Sequence, residues 1–307
     1  MEGQTRRARE AISSAVSPGG VITPPPGVPR PSGQEAGPDL SMATRSARAP
    51  GTGEHWVSPE EAIDERSRRG RRVSVVIPTL NENGNVSKLI TRIEGLFPLE
   101  PEIIVVDDGS SDGTVESVLA LRETFQRIHV IERGVRGGIG SAVGDGIRFA
   151  LDKTESDHVV TMDADWSHDP TELPALLEAA LDADFVQGSR YAEGGRIVGW
   201  PPMRRVLSIV GNGACRILFK TGLREHTTFY RVFSRACAQV IVENVRDDGY
   251  AWGVRSLLVA RDAGFKACEV PITFVERTSG ESKLGFREMV GWFFSIARLL
   301  GQRPRRS

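Results

Sequence analysis

Val73-Ser74-Val75-Val76-Ile77-Pro78 is a short β-branched run closed by a proline, and the residues after it, Thr79-Leu80-Asn81-Glu82-Asn83-Gly84, form a polar turn. A run of this length with such a boundary reads as a buried strand. Val86, Leu89, Ile90 and Ile93 follow at the spacing of one helical face. The same unit recurs downstream. Glu102-Ile103-Ile104-Val105-Val106 reads as a second strand, followed by Asp107-Asp108-Gly109-Ser110-Ser111-Asp112-Gly113-Thr114 and a helix. A third strand is expected at Ile128–Ile131, a helix from about Ser141 to Leu151, and a fourth strand at His158–Met162, just before Asp163-Ala164-Asp165. Alternating strands and helices predict an α/β fold with a mostly parallel central sheet and helices on both faces. Ligands of such sheets bind beyond the strands' carboxyl ends, where these polar clusters fall. Past about Gly195 the regularity weakens. Helices are expected near 203–220, 231–242 and 250–263, with one strand near 267–274, and there is no internal repeat.

Outward from this core the chain changes character. Nine of its 18 prolines lie within the first 60 residues, and Ser17 to Gly53 has almost no bulky apolar residue. Such a segment buries too little surface to offset its ordering entropy, so residues 1–70 read as a disordered Pro/Gly/Ser-rich tail. Arg6-Arg7 is followed only by Ala11–Val16, too short and too polar for an export signal. Residues 71–284 are then the catalytic domain, and 285–307 an amphipathic helix with a basic tail. The 307 residues carry 39 Lys+Arg against 40 Asp+Glu, a net charge of −1. That balance argues against a nucleic-acid partner held by bulk positive charge. No apolar run approaches the roughly 18 residues of a spanning helix. Cys215, Cys237 and Cys268 are odd in number and far apart, which excludes a disulfide framework and zinc-ligand spacing. A reducing cytoplasm is the expected location.

Two acidic clusters invite chemistry. Asp163 and Asp165, one residue apart at a strand end, can share one Mg2+ or Mn2+ ion with diphosphate oxygens. Such an ion neutralises charge on a leaving diphosphate. The plainer reading is a solvated loop whose Asp169-Pro170 starts a helix. Asp107 and Asp108 close another strand of the same sheet and can accept hydrogen bonds from a ribose or base. They equally suit a turn leading to a helix at Thr114. Gly137-Gly138-Ile139-Gly140 comes after the third strand and lacks the full dinucleotide-loop spacing, so it reads as close backbone packing near a ligand. A nicotinamide oxidoreductase is thereby disfavoured.

Five stretches in order, from about Val73 to Leu284, resemble the inverting glycosyltransferases of family 2, and within them the dolichol- and polyprenol-phosphate mannose synthases. They are Val76–Glu82, Val105–Thr114, Met162–Pro170, Gln187-Gly188-Ser189-Arg190-Tyr191 and Arg277-Thr278-Ser279-Gly280-Glu281-Ser282-Lys283. The resemblance implies a nucleotide-sugar-binding domain of GT-A type. By the same resemblance Pro78, Glu82 and Asp108 line the nucleotide pocket, with Asp107 and Asp163 beside them. Asp163 and Asp165 hold the metal, with Ser167 where relatives often place a Gln ligand. Arg190 and Arg204 face donor or acceptor phosphate, and Arg277 and Lys283 grip phosphates from a mobile loop. Guanidinium forks and an ammonium suit phosphate oxygens. Outside these motifs, the same arginines read as salt-bridged surface.

One stretch departs from the family. Where relatives carry Asp-x-Thr-Ser-Gly-Phe-Arg, this chain has Glu225-His226-Thr227-Thr228-Phe229-Tyr230-Arg231. Arg231 survives as an expected phosphate or acceptor ligand, Glu replaces Asp, and a bulky Phe229 replaces Gly. An acceptor that is a polyprenyl phosphate needs no general base. A hydroxyl acceptor does, and Glu225 and His226 are the candidates. Three readings therefore stand. The first is transfer of mannose from GDP-mannose to a polyprenyl phosphate at a membrane face. The others are transfer to a hydroxyl of a small molecule or glycan, with a UDP-sugar as a possible donor, and an inactive nucleotide-sugar binder. The intact Asp163/Asp165 pair speaks against the third.

The carboxyl end bears on the acceptor. Phe286, Met289, Val290, Phe293, Ala297 and Leu300 follow helical spacing, and Arg277 to Ser307 has seven basic and two acidic residues, a local charge of +5. Such a segment suits either peripheral contact with an anionic membrane or docking on the catalytic domain.

Overall fold

The computed structural model describes residues 72–96, 101–134 and 136–276. The expected tail at 1–70 and the amphipathic helix at 285–307 lie outside the described residues, as do Arg277 and Lys283.

The first half builds β1 (Val73–Thr79), α1 (Val86–Glu94), β2 (Glu102–Asp107), α2 (Thr114–Ala120), β3 (Ile128–Glu132), α3 (Ile139–Lys153) and β4 (His158–Thr161). Its four strands pair in parallel in the order β3-β2-β1-β4, with Thr79 in register with Asp107. Both faces of these strands are covered, which is why the sequence reads as continuous apolar runs. Val75, Ile77, Ile103 and Val105 face one core together with Leu89 and Ile93 of α1. Val76, Ile104 and Val106 face the other, against Val143 and Ile147 of α3. Helix α3 lies so close that a Cβ on Gly146 would come within 2.3 Å of Val76.

The second half adds α4 (Leu173–Ala179), β5 (Phe185–Ser189), β6 (Arg196–Val198), α5 (Pro202–Phe219), β7 (Arg231–Ser234), α6 (Arg235–Asn244), α7 (Ala251–Asp262), β8 (Ala267–Pro271) and β9 (Thr273–Val275). The complete sheet runs β3-β2-β1-β4-β7-β5-β8, and β7 is antiparallel to both its neighbours. The sheet is thus mostly parallel, with helices on both faces.

The helix expected over 231–242 begins later, at Arg235. Arg231 to Ser234 form a central strand instead, because Val232 and Phe233 alternate into the two cores and pair with β4 and β5. Ser234 then caps α6, its Oγ accepting a hydrogen bond from Cys237 N at 3.3 Å. The strand expected near 267–274 divides at Ile272, since β8 pairs with β5 while β9 forms a two-stranded parallel sheet with β6. Helices α5 and α7 match the expected spans to within a residue. All three cysteines are free thiols, and burial pushes Cys215 and Cys237 up to about 12, so they act as apolar packing.

Candidate active site

The carboxyl ends of β1, β2 and β4 open onto one edge, and their loops are laced together by short polar side chains. Asn81 holds a left-handed φ of 54°. Its N–H donates to Ser110 Oγ at 2.8 Å, and its Oδ1 accepts from Ser111 N at 3.0 Å. Glu82 N donates to Thr114 Oγ1 at 2.9 Å, tying the same two loops again.

Against these loops lies a cavity of about 330 Å3, lined by Pro78, Glu82, Asp108, Asp163, Asp165, Ser167 and Arg204. Seven of the residues singled out in the sequence therefore meet at one place. Asp108 Oδ1 sits 2.8 Å from Arg133 Nη1, and its Oδ2 accepts from Gly138 N at 3.0 Å. Gly138 (φ 93°) and Gly140 press on the backbone of 247–249: a Cβ would meet Asp248 O at 2.5 Å from Gly138 and Asp247 O at 2.6 Å from Gly140. The glycine run is close backbone packing at the cavity wall, as its sequence suggested. Arg204 pairs with Glu276 at 2.6 Å and lies 4.2 Å from the Trp200 ring centroid.

Asp165 Oδ1 accepts from both Ser167 N (3.1 Å) and Ser167 Oγ (2.5 Å). Among the described residues, no cluster of three or more His, Cys, Asp or Glu could hold a metal ion. Two carboxylates at an open cavity nevertheless form a donor set of hard oxygens. That set fits Mg2+ or Mn2+ when substrate oxygens and water complete the shell.

Four expected residues are placed elsewhere. Asp107 does not line the cavity. It accepts hydrogen bonds from Thr79 Oγ1, Gly109 N, Ser110 N and Ser110 Oγ at 2.5 to 3.0 Å, so its carboxylate is committed to the turn. Arg190 is buried, and its Nε and Nη2 donate to the two oxygens of Glu225 at 2.7 and 2.9 Å. Its guanidinium also lies 5.0 Å from the Trp200 centroid and 5.3 Å from that of Phe274, which lines the cavity.

Glu225 is fully buried. Burial alone would raise its carboxyl, but Arg190 and hydrogen bonds from Thr227 override this and hold it at about 2. His226 is pushed down to about 4 by burial. Neither is placed to take a proton from an acceptor hydroxyl, which corrects the general-base expectation for Glu225. The base was inferred from residue type; the bidentate arginine pair was invisible in sequence.

Arg231 is likewise no surface phosphate ligand. It is fully buried, and it donates to Gly253 O (2.7 Å), Ser256 Oγ (2.8 Å) and His226 O (3.0 Å). Burial lowers it to about 9. Phe229 turns into the core as well, stacked on Trp252 at 5.9 Å and edge-on to Tyr250 at 6.3 Å. It meets the cavity lining through Tyr250.

Sequence reasoning passed over His168, Arg136 and Tyr250. His168 sits inside the quoted acidic stretch, and its Nδ1 accepts from Asp163 N at 3.2 Å. Its ring is fully buried between Tyr230 (5.0 Å) and Phe274 (5.6 Å), and burial lowers it to about 4. A neutral imidazole thus fixes the backbone at the first of the paired aspartates. Arg136 and Tyr250 line the cavity. Arg136 stands one residue before the glycine run, a signal that could have found it; Tyr250 carries none.

Residues 74–242 match the model of glycosyl transferase family 2. The chain is 37% identical over 214 residues to an undecaprenyl-phosphate mannosyltransferase of Micrococcus luteus, covering 69% of this chain and 87% of that protein. It is 38% identical over 234 residues to a polyprenol monophosphomannose synthase of Mycolicibacterium smegmatis, covering 75% and 87%. Among solved structures, glucosyl-3-phosphoglycerate synthase of Mycobacterium tuberculosis, in complex with Mn2+, UDP and glucosyl-3-phosphoglycerate, superposes with a TM-score of 0.58. That alignment covers 82% of this chain and 88% of that one at 22% identity, so the likeness is one of fold.

Proposed function

The chain belongs to glycosyl transferase family 2, and from that premise we propose that it moves mannose from GDP-mannose to a polyprenyl phosphate, inverting the anomeric carbon. The observation that carries the reading is the convergence of Asp108, Asp163 and Asp165 with Arg136 and Arg204 on one cavity at the sheet's carboxyl edge. The mannose and the lipid acceptor come from the two relatives, whose names state those substrates.

In this reading Asp108, braced by Arg133 and Gly138 N, receives the ribose or base of the donor, with Pro78 and Glu82 beside it. Asp163 and Asp165 would hold a Mg2+ or Mn2+ ion, which when bound neutralises charge on the departing diphosphate. Ser167 fixes the Asp165 carboxylate, and His168 fixes the backbone of Asp163. Arg204 and Arg136 offer guanidinium donors to phosphate oxygens. A polyprenyl phosphate oxygen is already anionic, so the displacement requires no protein base. The pairing of Glu225 with Arg190 is consistent with that chemistry and gives the hydroxyl-acceptor alternative no base in this stretch.

Labelled GDP-mannose incubated with the protein, a divalent ion and a short polyprenyl phosphate should yield a product that partitions into organic solvent. Absence of that product, or transfer only to a water-soluble hydroxyl compound, would overturn the assignment.

A further inference from the structure

Three non-glycine residues among those described hold a left-handed φ: Asn81 at 54°, Lys220 at 52° and Trp166 at 64°. The first two have ordinary reasons. Asparagine tolerates this region, and Lys220 follows α5, where helices commonly close in such a conformation. Trp166 has neither reason. A bulky side chain keeps this backbone only where its surroundings hold it there, and such residues gather at functional sites. Trp166 stands between Asp165 and Ser167.

Core packing does not account for the indole. The ring is 37% exposed and borders an open groove with Ser87, Lys88, Thr91 and Arg92, whereas Ala164, two residues earlier, is buried in the core. What the indole supplies is a hydrogen bond: its Nε1 donates to Asn85 O at 3.2 Å. Asn85 starts α1, and the same carbonyl accepts from Leu89 N at 3.0 Å. The Asn85 side-chain amide donates to Glu82 Oε2 at 3.1 Å, and Glu82 lines the cavity. The turn after Asp165 is therefore hung on the residue that also steadies Glu82. The left-handed step at 166 brings the chain back, so that Ser167 N and Oγ reach Asp165 Oδ1 at 3.1 and 2.5 Å. At the other end of the turn, His168 Nδ1 accepts from Asp163 N at 3.2 Å. A buried imidazole thus fixes the paired aspartates from within, and a half-exposed indole fixes them from outside.

On the reading that Asp163 and Asp165 hold a divalent ion, we propose that Trp166 is a positioning residue for them. Its bond to Asn85 O keeps the turn at 165–167 wound, and the wound turn keeps Ser167 on the Asp165 carboxylate. A carboxylate oriented before the ion arrives loses less freedom on binding it. Groups that orient metal ligands in this way are typically worth about 10- to 100-fold in metal affinity. Trp166 touches neither the ion nor the sugar in this role; it acts through Asp165.

The full chain is titrated with Mn2+ alone, and the free ion is followed by electron paramagnetic resonance. Trp166→Phe keeps a ring and removes only the N–H. It should bind Mn2+ about tenfold more weakly, with an unchanged melting temperature. Trp166→Gly suits the left-handed backbone without strain but lacks the tie, and it should lose at least as much affinity. Adding Ser167→Ala to Trp166→Phe should weaken binding little beyond the larger single loss, because both act through one carboxylate. In transfer assays Trp166→Phe should need about tenfold more Mn2+ yet reach the wild-type kcat at saturation. Undiminished Mn2+ affinity in either folded Trp166 variant would overturn the proposal. So would losses that add in full in the double variant, or a kcat lowered at every Mn2+ concentration, which marks a packing role. A wild type that binds no Mn2+ would overturn the metal assignment and this role with it. Mn2+ binding that weakens in the variants, without mannosyl transfer by the wild type, would count against the proposed reaction alone.

Discussion

Asp163 and Asp165 face a cavity, whereas Glu225, with the same carboxylate chemistry, faces only protein. Between the two regions stands Phe274, which lines the cavity on one side and meets the Arg190 guanidinium and His168 ring on the other. On the cavity side, acids and Arg136 and Arg204 are gathered for a ligand to use. On the buried side, each charge is matched by a fixed partner: Arg190 by Glu225, Arg231 by two carbonyls and a hydroxyl. Burial leaves little choice, because an unpaired charge in the interior costs several kcal/mol. The same residue types are thus reagents in one region and scaffold a few ångströms away.

That contrast breaks most readily at Asp165. Asp165→Ala should cut kcat by about a thousandfold or more while leaving the melting temperature in place. Substantial residual turnover would remove Asp165 from the metal site. Glu225→Ala should do the reverse. It strands Arg190 in the interior and costs about 3–5 kcal/mol in a urea titration, with activity falling only as the fold loosens. Arg190→Met/Glu225→Leu should regain much of that stability, which a direct proton-transfer role for Glu225 would not accompany with regained turnover.

Acid provides a subtler probe of the buried side. The folded state holds His168 and His226 at about 4 against an ordinary 6.5, and burial lowers His158 as well. The unfolded chain therefore binds more protons between those values. Stability is fully present above about pH 6.5 and declines toward pH 4, by up to about 3 kcal/mol for His226 alone. Melting curves across this window should show the decline, and His226→Gln should flatten it. The smallest effect sharpens the boundary between the regions. Asp107→Asn should cost about 1–2 kcal/mol of turn stability and leave nucleotide affinity nearly unchanged. Asp108→Asn should weaken nucleotide-induced thermal protection.

The half of the fold built on β1 to β4 was legible because strands buried on both faces must be largely apolar, as Val75–Ile77 and Ile103–Val106 are. β7 was not, since four residues headed by an arginine and running into a helix carry no period long enough to read. The site divides the same way. Acids at strand ends announce themselves, because connectivity alone delivers Asp108, Asp163 and Asp165 to one edge. Glu225 and Arg231 look equally reactive in sequence, and only the packing of α7 and the Arg190 fork reveals them as structural. His168 was overlooked for the opposite reason. Its effect passes through a backbone N–H, which no side-chain motif displays.

The position of β7 has a consequence for how the molecule is made. The strands β3-β2-β1-β4 are all present once the chain has been synthesised to residue 161, so the nucleotide half can assemble as it leaves the ribosome. β5 emerges next but has no neighbour to join, because the strand that links it to β4 is made more than forty residues later, at 231–234. Until then the β4 edge stays open, and an open strand edge is a site for mispairing. A pause in synthesis within α5 would prolong that interval, and a chain stopped there would present a finished donor wall with an adhesive border.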